Sequence, residues 1–191
     1  MINKYFLEEP NILDLSKEIF NAVVGENLKI KTRFELISKK IEDAETVNFI
    51  LADGLGFSNL QSTDSFLNKH INNVVNTTFP SSTNVALTTI AMQANPIDHG
   101  VFSYYMYDKL KYGLINALNW NSENKNLLLS KHFNNQSSIW SVFKENNIYA
   151  SNFQPKNLIN TPLSNFLYEE KSTVPYICLL YTSDAADDLG R

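Results

Sequence analysis

The run Val47-Asn48-Phe49-Ile50-Leu51-Ala52, stopped by Asp53-Gly54, constrains the fold of this chain more than any other stretch. Near-continuous apolar character over so few residues is what a strand carries when helices cover both faces of a parallel sheet. Ile12, Leu15, Ile19, Phe20 and Val23 recur at helical spacing over residues 11–23, and Gly25 closes that run. Phe34, Leu36, Ile37 and Ile41 form a second helical pattern ahead of the strand, and Leu60, Phe66 and Leu67 predict a helix after it. Residues 73–79 read as the next strand, stopped by Pro80, and Val85, Ala86, Leu87, Ile90, Ala91 and Met92 as the helix that follows. Residues 101–133, rich in tyrosine and asparagine, show no clean period and read as a loop or small excursion. A helix at Ile139, Val142 and Phe143 and a strand at 148–153 continue the alternation. That β-α-β-α order predicts an α/β protein with a mainly parallel sheet.

The chain has 191 residues, enough for one well-buried core or for a piece of a larger domain. A net charge of −4 excludes a global attraction to nucleic acid or to anionic membrane, so a phosphate-bearing ligand must be held by local groups or cations. Cys178 is the single cysteine, which rules out an intrachain disulfide and fits a reducing compartment. The first residues lack the apolar core of a secretion signal, and no apolar run approaches the roughly 20 residues of a spanning helix. The expectation is a soluble, cytoplasmic protein without membrane contact.

Three positions could carry chemistry. Asp53 ends a strand, and ligands of open α/β sheets gather beyond the carboxyl ends of strands. A carboxylate there can hold Zn²⁺, Mn²⁺ or Mg²⁺, or it can simply cap the helix that begins near Phe57. Thr83 stands in Phe79-Pro80-Ser81-Ser82-Thr83-Asn84, at the start of the next helix. Backbone N–H groups and the helix dipole favour an anion at such a place. A threonine hydroxyl needs a base or a metal to become a nucleophile, and Ser81, Ser82 or Thr83 could equally serve as an N-cap. His99, between Pro96 and Gly100, reads as a hydrogen-bonded loop anchor in preference to a metal ligand. His70 and His132 have no acidic or histidine partner at ligand spacing. Phe102, Tyr104, Tyr105 and Tyr107 read as loop packing, with one tyrosine able to reach a site nearby. No CxxC, HExxH or phosphate-binding glycine loop is present, and Gly54-Leu55-Gly56 lacks the third glycine of a dinucleotide fingerprint.

Taken in order, Asp53-Gly54, Phe79-Pro80-Ser81-Ser82-Thr83, Ile90, Pro96 and His99-Gly100-Val101 resemble the alkaline phosphatase superfamily, in its type I phosphodiesterase and nucleotide pyrophosphatase branch. There a threonine precedes a helix, and a proline and a His-Gly-Ile or His-Gly-Val follow at fixed distances. Here Pro96 and His99 follow Thr83 by 13 and 16 positions. Leu114-Ile115-Asn116-Ala117-Leu118-Asn119-Trp120 is similar to the segment that follows in bacterial members, which also carry a tyrosine shortly after His-Gly.

The resemblance implies an alkaline-phosphatase-like three-layer sandwich, incomplete in this chain. Residues 1–45 would lead into the domain, 46–178 would form its N-terminal part, and 179–191, which look like translated adapter sequence, would be a non-native tail. It further implies a phosphoester hydrolase with two divalent metal ions, usually zinc, acting on a small-molecule phosphoester and not on a nucleic-acid polymer. Asp53 would be a metal ligand, and Thr83 both ligand and nucleophile. Asn84 and Tyr104 would bind substrate, Tyr104 aligning where many members place an asparagine. The remaining ligands of the family lie later in its chain, and no histidine follows position 132 here. The chain therefore reads as an N-terminal fragment, inactive as it stands. A phosphomonoesterase of the same superfamily and a non-catalytic α/β domain are the alternatives. A sulfatase is disfavoured, because the turn lacks the Cys/Ser-x-Pro-x-Arg pattern.

Overall fold

The computed structural model describes residues 10–25, 34–109, 113–122, 125–126, 132–133, 136–156, 158–168 and 173–176. The expected tail at 179–191 and Cys178 lie outside these residues.

The chain enters through helix α1, Ile12–Val24. Asn11 Oδ1 accepts from the N–H groups of Leu13 and Asp14, at 2.8 and 3.2 Å, and the Asp14 carboxylate accepts from the Asn11 N–H at 3.0 Å. This reciprocal box satisfies donors that a helix start otherwise leaves open. Gly25 ends the helix in the left-handed region, at φ 79°. Helix α2, Glu35–Glu42, packs against α1. The single helix expected after Asp53 is two short ones, α3 (Phe57–Gln61) and α4 (Phe66–Lys69). The Ser62 and Thr63 hydroxyls bond back to the Asn59 and Leu60 carbonyls, which closes α3 early.

Helix α5, Thr83–Met92, is the centre of the molecule. Seven of its ten residues are buried, Asn84, Thr88 and Thr89 among them. Val85, Ala91 and Met92 join Val101, Ala117, Trp120, Phe133, Leu163 and Leu167 in one core. Ile90 turns the other way, into a second core with Ile19, Phe20, Ile139 and Phe143. Short helix α6, Pro96–His99, follows, with Pro at its first position and Gly100 closing it at φ 71°.

The mainly parallel sheet expected from the sequence is not found among the described residues. Residues 47–52 and 73–79 are extended but pair with no strand, apart from an isolated bridge between Asn11 and Asn76. The reason is coverage. Phe49 meets Phe20 of α1 edge to face at 5.8 Å, so the face bearing Val47, Phe49 and Leu51 is partly sheltered. Ile50, on the opposite face, is 86% exposed. A parallel strand needs cover on both faces and partners on its edges, and the described residues supply one half-covered face.

The stretch expected to be an irregular excursion instead holds an antiparallel sheet in the order β1-β2-β3-β4. Its strands are Tyr105–Asp108, Gly113–Asn116, Asn121–Ser122 and Lys125–Asn126. Tyr105 pairs with Asn116, and Asp108 with Gly113. Ile115 and Ala117 turn inward, whereas Phe102, Tyr105 and Tyr107 face outward and so do not pack as expected. Helix α7, Ile139–Glu145, is followed by β5 (Asn152–Pro155), α8 (Pro162–Tyr168) and β6 (Thr173–Tyr176). β5 and β6 are parallel, with Asn152 opposite Thr173, and α8 is the crossover between them. This βαβ unit carries the parallel pairing found among the described residues. No helix there is long and apolar enough to cross a membrane.

Candidate active site

Asp53 lies in the turn that ends the extended run, with Gly54 beside it at φ 72°. Thr83 is the first residue of α5. Thirty positions separate them, yet the Thr83 hydroxyl donates to Asp53 Oδ2 at 3.0 Å. Neither residue acts as the helix cap that the sequence left open as an alternative. The cap position of α3 is Gly56, and that of α5 is Ser82. The nucleophile candidate and the carboxylate thus meet at an exposed edge, where solvent or a ligand can reach both.

Ser82 has the extended backbone of an N-cap, at φ −115° and ψ 153°, but its side chain makes no capping bond. Its hydroxyl instead donates to Asn84 Oδ1 at 2.8 Å. Asn84 is 2% exposed and uses both ends of its amide, because Nδ2 donates to the Ser103 carbonyl, also at 2.8 Å. The next residue is Tyr104, whose carbonyl accepts from the Ala117 N–H at 2.8 Å. The backbone bearing Tyr104 is therefore held between α5 and the end of β2, with its ring at the surface. Asn84 reaches this place by its side chain, a role that no spacing rule signals.

His99 is buried and fully engaged. The Val101 N–H donates to Nδ1 at 3.1 Å, which leaves the proton on Nε2, and Nε2–H donates to Thr89 Oγ1 at 2.9 Å. Burial, reinforced by neighbouring His132 and opposed by Asp98, pushes its pKa down to about 4. Both ring nitrogens are taken, so His99 is a loop anchor, as the sequence suggested, and offers no lone pair to a metal. His132 donates to the His99 carbonyl at 2.9 Å and is likewise pushed below the usual histidine range by burial. His70 lies elsewhere, stacked on Phe66 and bonded through Nδ1 to the Phe66 carbonyl at 2.7 Å.

Of the residues expected in a site, the structure brings Asp53, Thr83 and Asn84 together and ties Tyr104 to the same helix start through Ser103. The donor set at the meeting point is two oxygens, a hard pair suited to a divalent cation. Among the described residues no three His, Cys, Asp or Glu side chains form a cluster able to hold a metal. The pair thus fits part of a coordination sphere. Comparison with known proteins finds that the family model for type I phosphodiesterase / nucleotide pyrophosphatase matches residues 47–186. No curated protein and no solved structure matches the chain.

Proposed function

The chain belongs to the type I phosphodiesterase / nucleotide pyrophosphatase family, hydrolases of phosphoric ester and anhydride bonds, and from that premise we propose that it is a metal-dependent phosphoester hydrolase with Thr83 as nucleophile. The observation that carries this reading is the 3.0 Å contact between Thr83 Oγ1 and Asp53 Oδ2. It joins the first residue of a buried helix to the end of a distant extended segment, and leaves both oxygens accessible.

Asp53 and Thr83 would hold one divalent cation, zinc by preference. When bound, that cation supplies the charge that lowers the pKa of the hydroxyl and offsets charge on the phosphoryl oxygens. Asp53 accepts the hydroxyl proton in the hydrogen bond and so turns an Oγ1 lone pair toward the ligand. As Thr83 Oγ1 bonds to phosphorus its proton passes to Asp53, the scissile ester bond breaks, and the leaving group departs as an alkoxide that takes up a proton from water. Water then hydrolyses the phosphothreonine ester, which releases the phosphoryl group and restores the Thr83 hydroxyl. The backbone N–H of Asn84, in the first turn of α5 where a helix leaves its N–H groups without carbonyl partners, would stabilise that charge. Tyr104 would offer its phenol to a small-molecule phosphoester. Two oxygens bind a metal weakly, so turnover by this chain alone is expected to be slow, and the second zinc of the proposed pair needs ligands beyond these.

Single-turnover reaction with bis-p-nitrophenyl phosphate and Zn²⁺ tests this. The expected result is metal-dependent nitrophenolate release, with the remaining p-nitrophenyl phosphoryl group located on Thr83 by peptide mass spectrometry. Release by Thr83→Ala equal to wild type, or an adduct on another residue, overturns the assignment of the nucleophile. Mn²⁺ binding that is no weaker in Asp53→Asn overturns the assignment of the ligand.

A further inference from the structure

Asp53 meets Thr83 across thirty positions, so something beyond the local chain must turn its carboxylate toward α5. No ladder bond does so, because residues 47–52 pair with no strand. The segment that leads into α5 is held differently, since Asn76 exchanges backbone bonds with Pro10 and Ile12 at 2.9 and 2.8 Å. What the Asp53 segment has is a ring: Phe49 meets buried Phe20 edge to face at 5.8 Å. Phe20 in turn meets Phe143 at 5.5 Å and shares a core with Ile90 of α5. Ile90 and Thr83 are seven residues apart, two helical turns, and so stand on one side of that helix. Alternation supplies the other half. Successive side chains of an extended segment turn to opposite faces, so Phe49, Leu51 and Asp53 share one parity and Ile50 takes the other. The residues from Phe49 to Asp53 span at most about 13 Å, and those from Ile90 to Thr83 about 10 Å. Two legs of comparable length thus leave the Phe20 core, and the 3.0 Å hydrogen bond joins their far ends. A slip of one residue would bring Ala52 or Gly54 to that place and carry the carboxylate to solvent.

We infer that Phe49 is a positioning residue whose ring, seated against Phe20, decides which face of the segment turns inward and so holds Asp53 against Thr83. The inference rests on the phosphoester reading above and deepens it. Phe49 touches neither substrate nor cation. It acts through the backbone from residue 49 to residue 53, and through Phe20 on the core that also fixes α5.

Two readouts on the full chain test this: the carboxyl ¹³C resonance of Asp53 without metal, and the affinity for Mn²⁺. In the wild type, Thr83→Val should displace the Asp53 resonance, because it removes the donor. In Phe49→Ala the resonance should already stand at the displaced position and should no longer respond to Thr83→Val. Mn²⁺ affinity should fall about fivefold, the population that one edge-to-face ring pair sustains. Phe49→Tyr keeps the ring edge and should behave as wild type. Ile50→Ala, on the opposite face of the same segment, should leave both readouts unchanged. A full response to Thr83→Val in Phe49→Ala overturns the inference, and so does damage from Ile50→Ala equal to that from Phe49→Ala. If Phe49→Ala does not fold, Phe49→Leu takes its place with a fall of about twofold to threefold, and wild-type behaviour in it overturns the inference. Absence of Mn²⁺ binding in the wild type overturns the metal-dependent reading instead. The carboxyl comparison still judges the role of Phe49 in that case.

Discussion

Acidification should unlock the loop that follows α6, and His99 sets the range. The ring is neutral in the fold, accepting from the Val101 N–H and donating to Thr89, and its pKa is lowered from 6.5 to about 4. In the unfolded chain it titrates near 6.5. A proton therefore binds the unfolded chain first as pH falls, and the stability that His99 confers is complete above about 6.5 and lost progressively toward about 4. At 1.36 kcal/mol per unit of separation the full loss is about 3 kcal/mol, of which about 2 kcal/mol is gone by pH 5. Protonation also turns Nδ1 into a donor facing the Val101 N–H, so the hydrogen bond reverses into a repulsion. The assay is urea denaturation of wild type and His99→Gln at pH 7.5, 6, 5 and 4.5. Carboxylates and His132 titrate in both proteins, so the difference between them isolates His99. The wild-type advantage should be largest at pH 7.5 and shrink by about 2 kcal/mol at pH 5. A difference independent of pH, or one that grows on acidification, refutes the reasoning, as does a titration of the His99 ring proton resonance near 6.5.

Three further outcomes follow from local geometry. A Cβ at Gly100 would lie 3.0 Å from His132 Nε2, on a backbone at φ 71°, so Gly100→Ala should cost about 1–3 kcal/mol in thermal or urea unfolding. An effect below about 0.5 kcal/mol would mean that the His99 carbonyl and His132 are not held as described. Asn11→Ala removes the side-chain half of the α1 capping box and keeps the backbone N–H bond to Asp14, and should cost about 1 kcal/mol, with hydrogen exchange in α5 unaffected. Leu167 on α8 is 2% exposed, and Leu167→Ala should cost about 2–5 kcal/mol, read by the same unfolding curves.

What the sequence disclosed depended on how local the cause was. α1 and α5 were legible because their apolar spacing and the closing Gly25 act within a few residues, although the Asn11 cap went unread. The Asp53–Thr83 meeting was legible only through family resemblance, since thirty positions lie between them. The run at 47–52 was misread as a paired strand, because apolar content reports a need for cover and not its presence. Ile50 shows the difference. The β1–β4 sheet was missed because its strands are two to four residues long and carry outward tyrosines, which blurs alternation. Asn84 reads on paper as a residue for substrate. Its burial between Ser82 and Ser103 emerges only once the loop at Ser103 is brought against α5.

The two members of the 3.0 Å pair are mounted very differently. Thr83 rides on a rod wedged between two cores, while Asp53 hangs from a ribbon whose outer side meets water. Any adjustment of the gap must come from the carboxylate, since moving the hydroxyl would mean dislodging the rod. Whatever settles over the bare side of that ribbon will therefore tune the aim of Asp53 and leave the Thr83 hydroxyl where it stands.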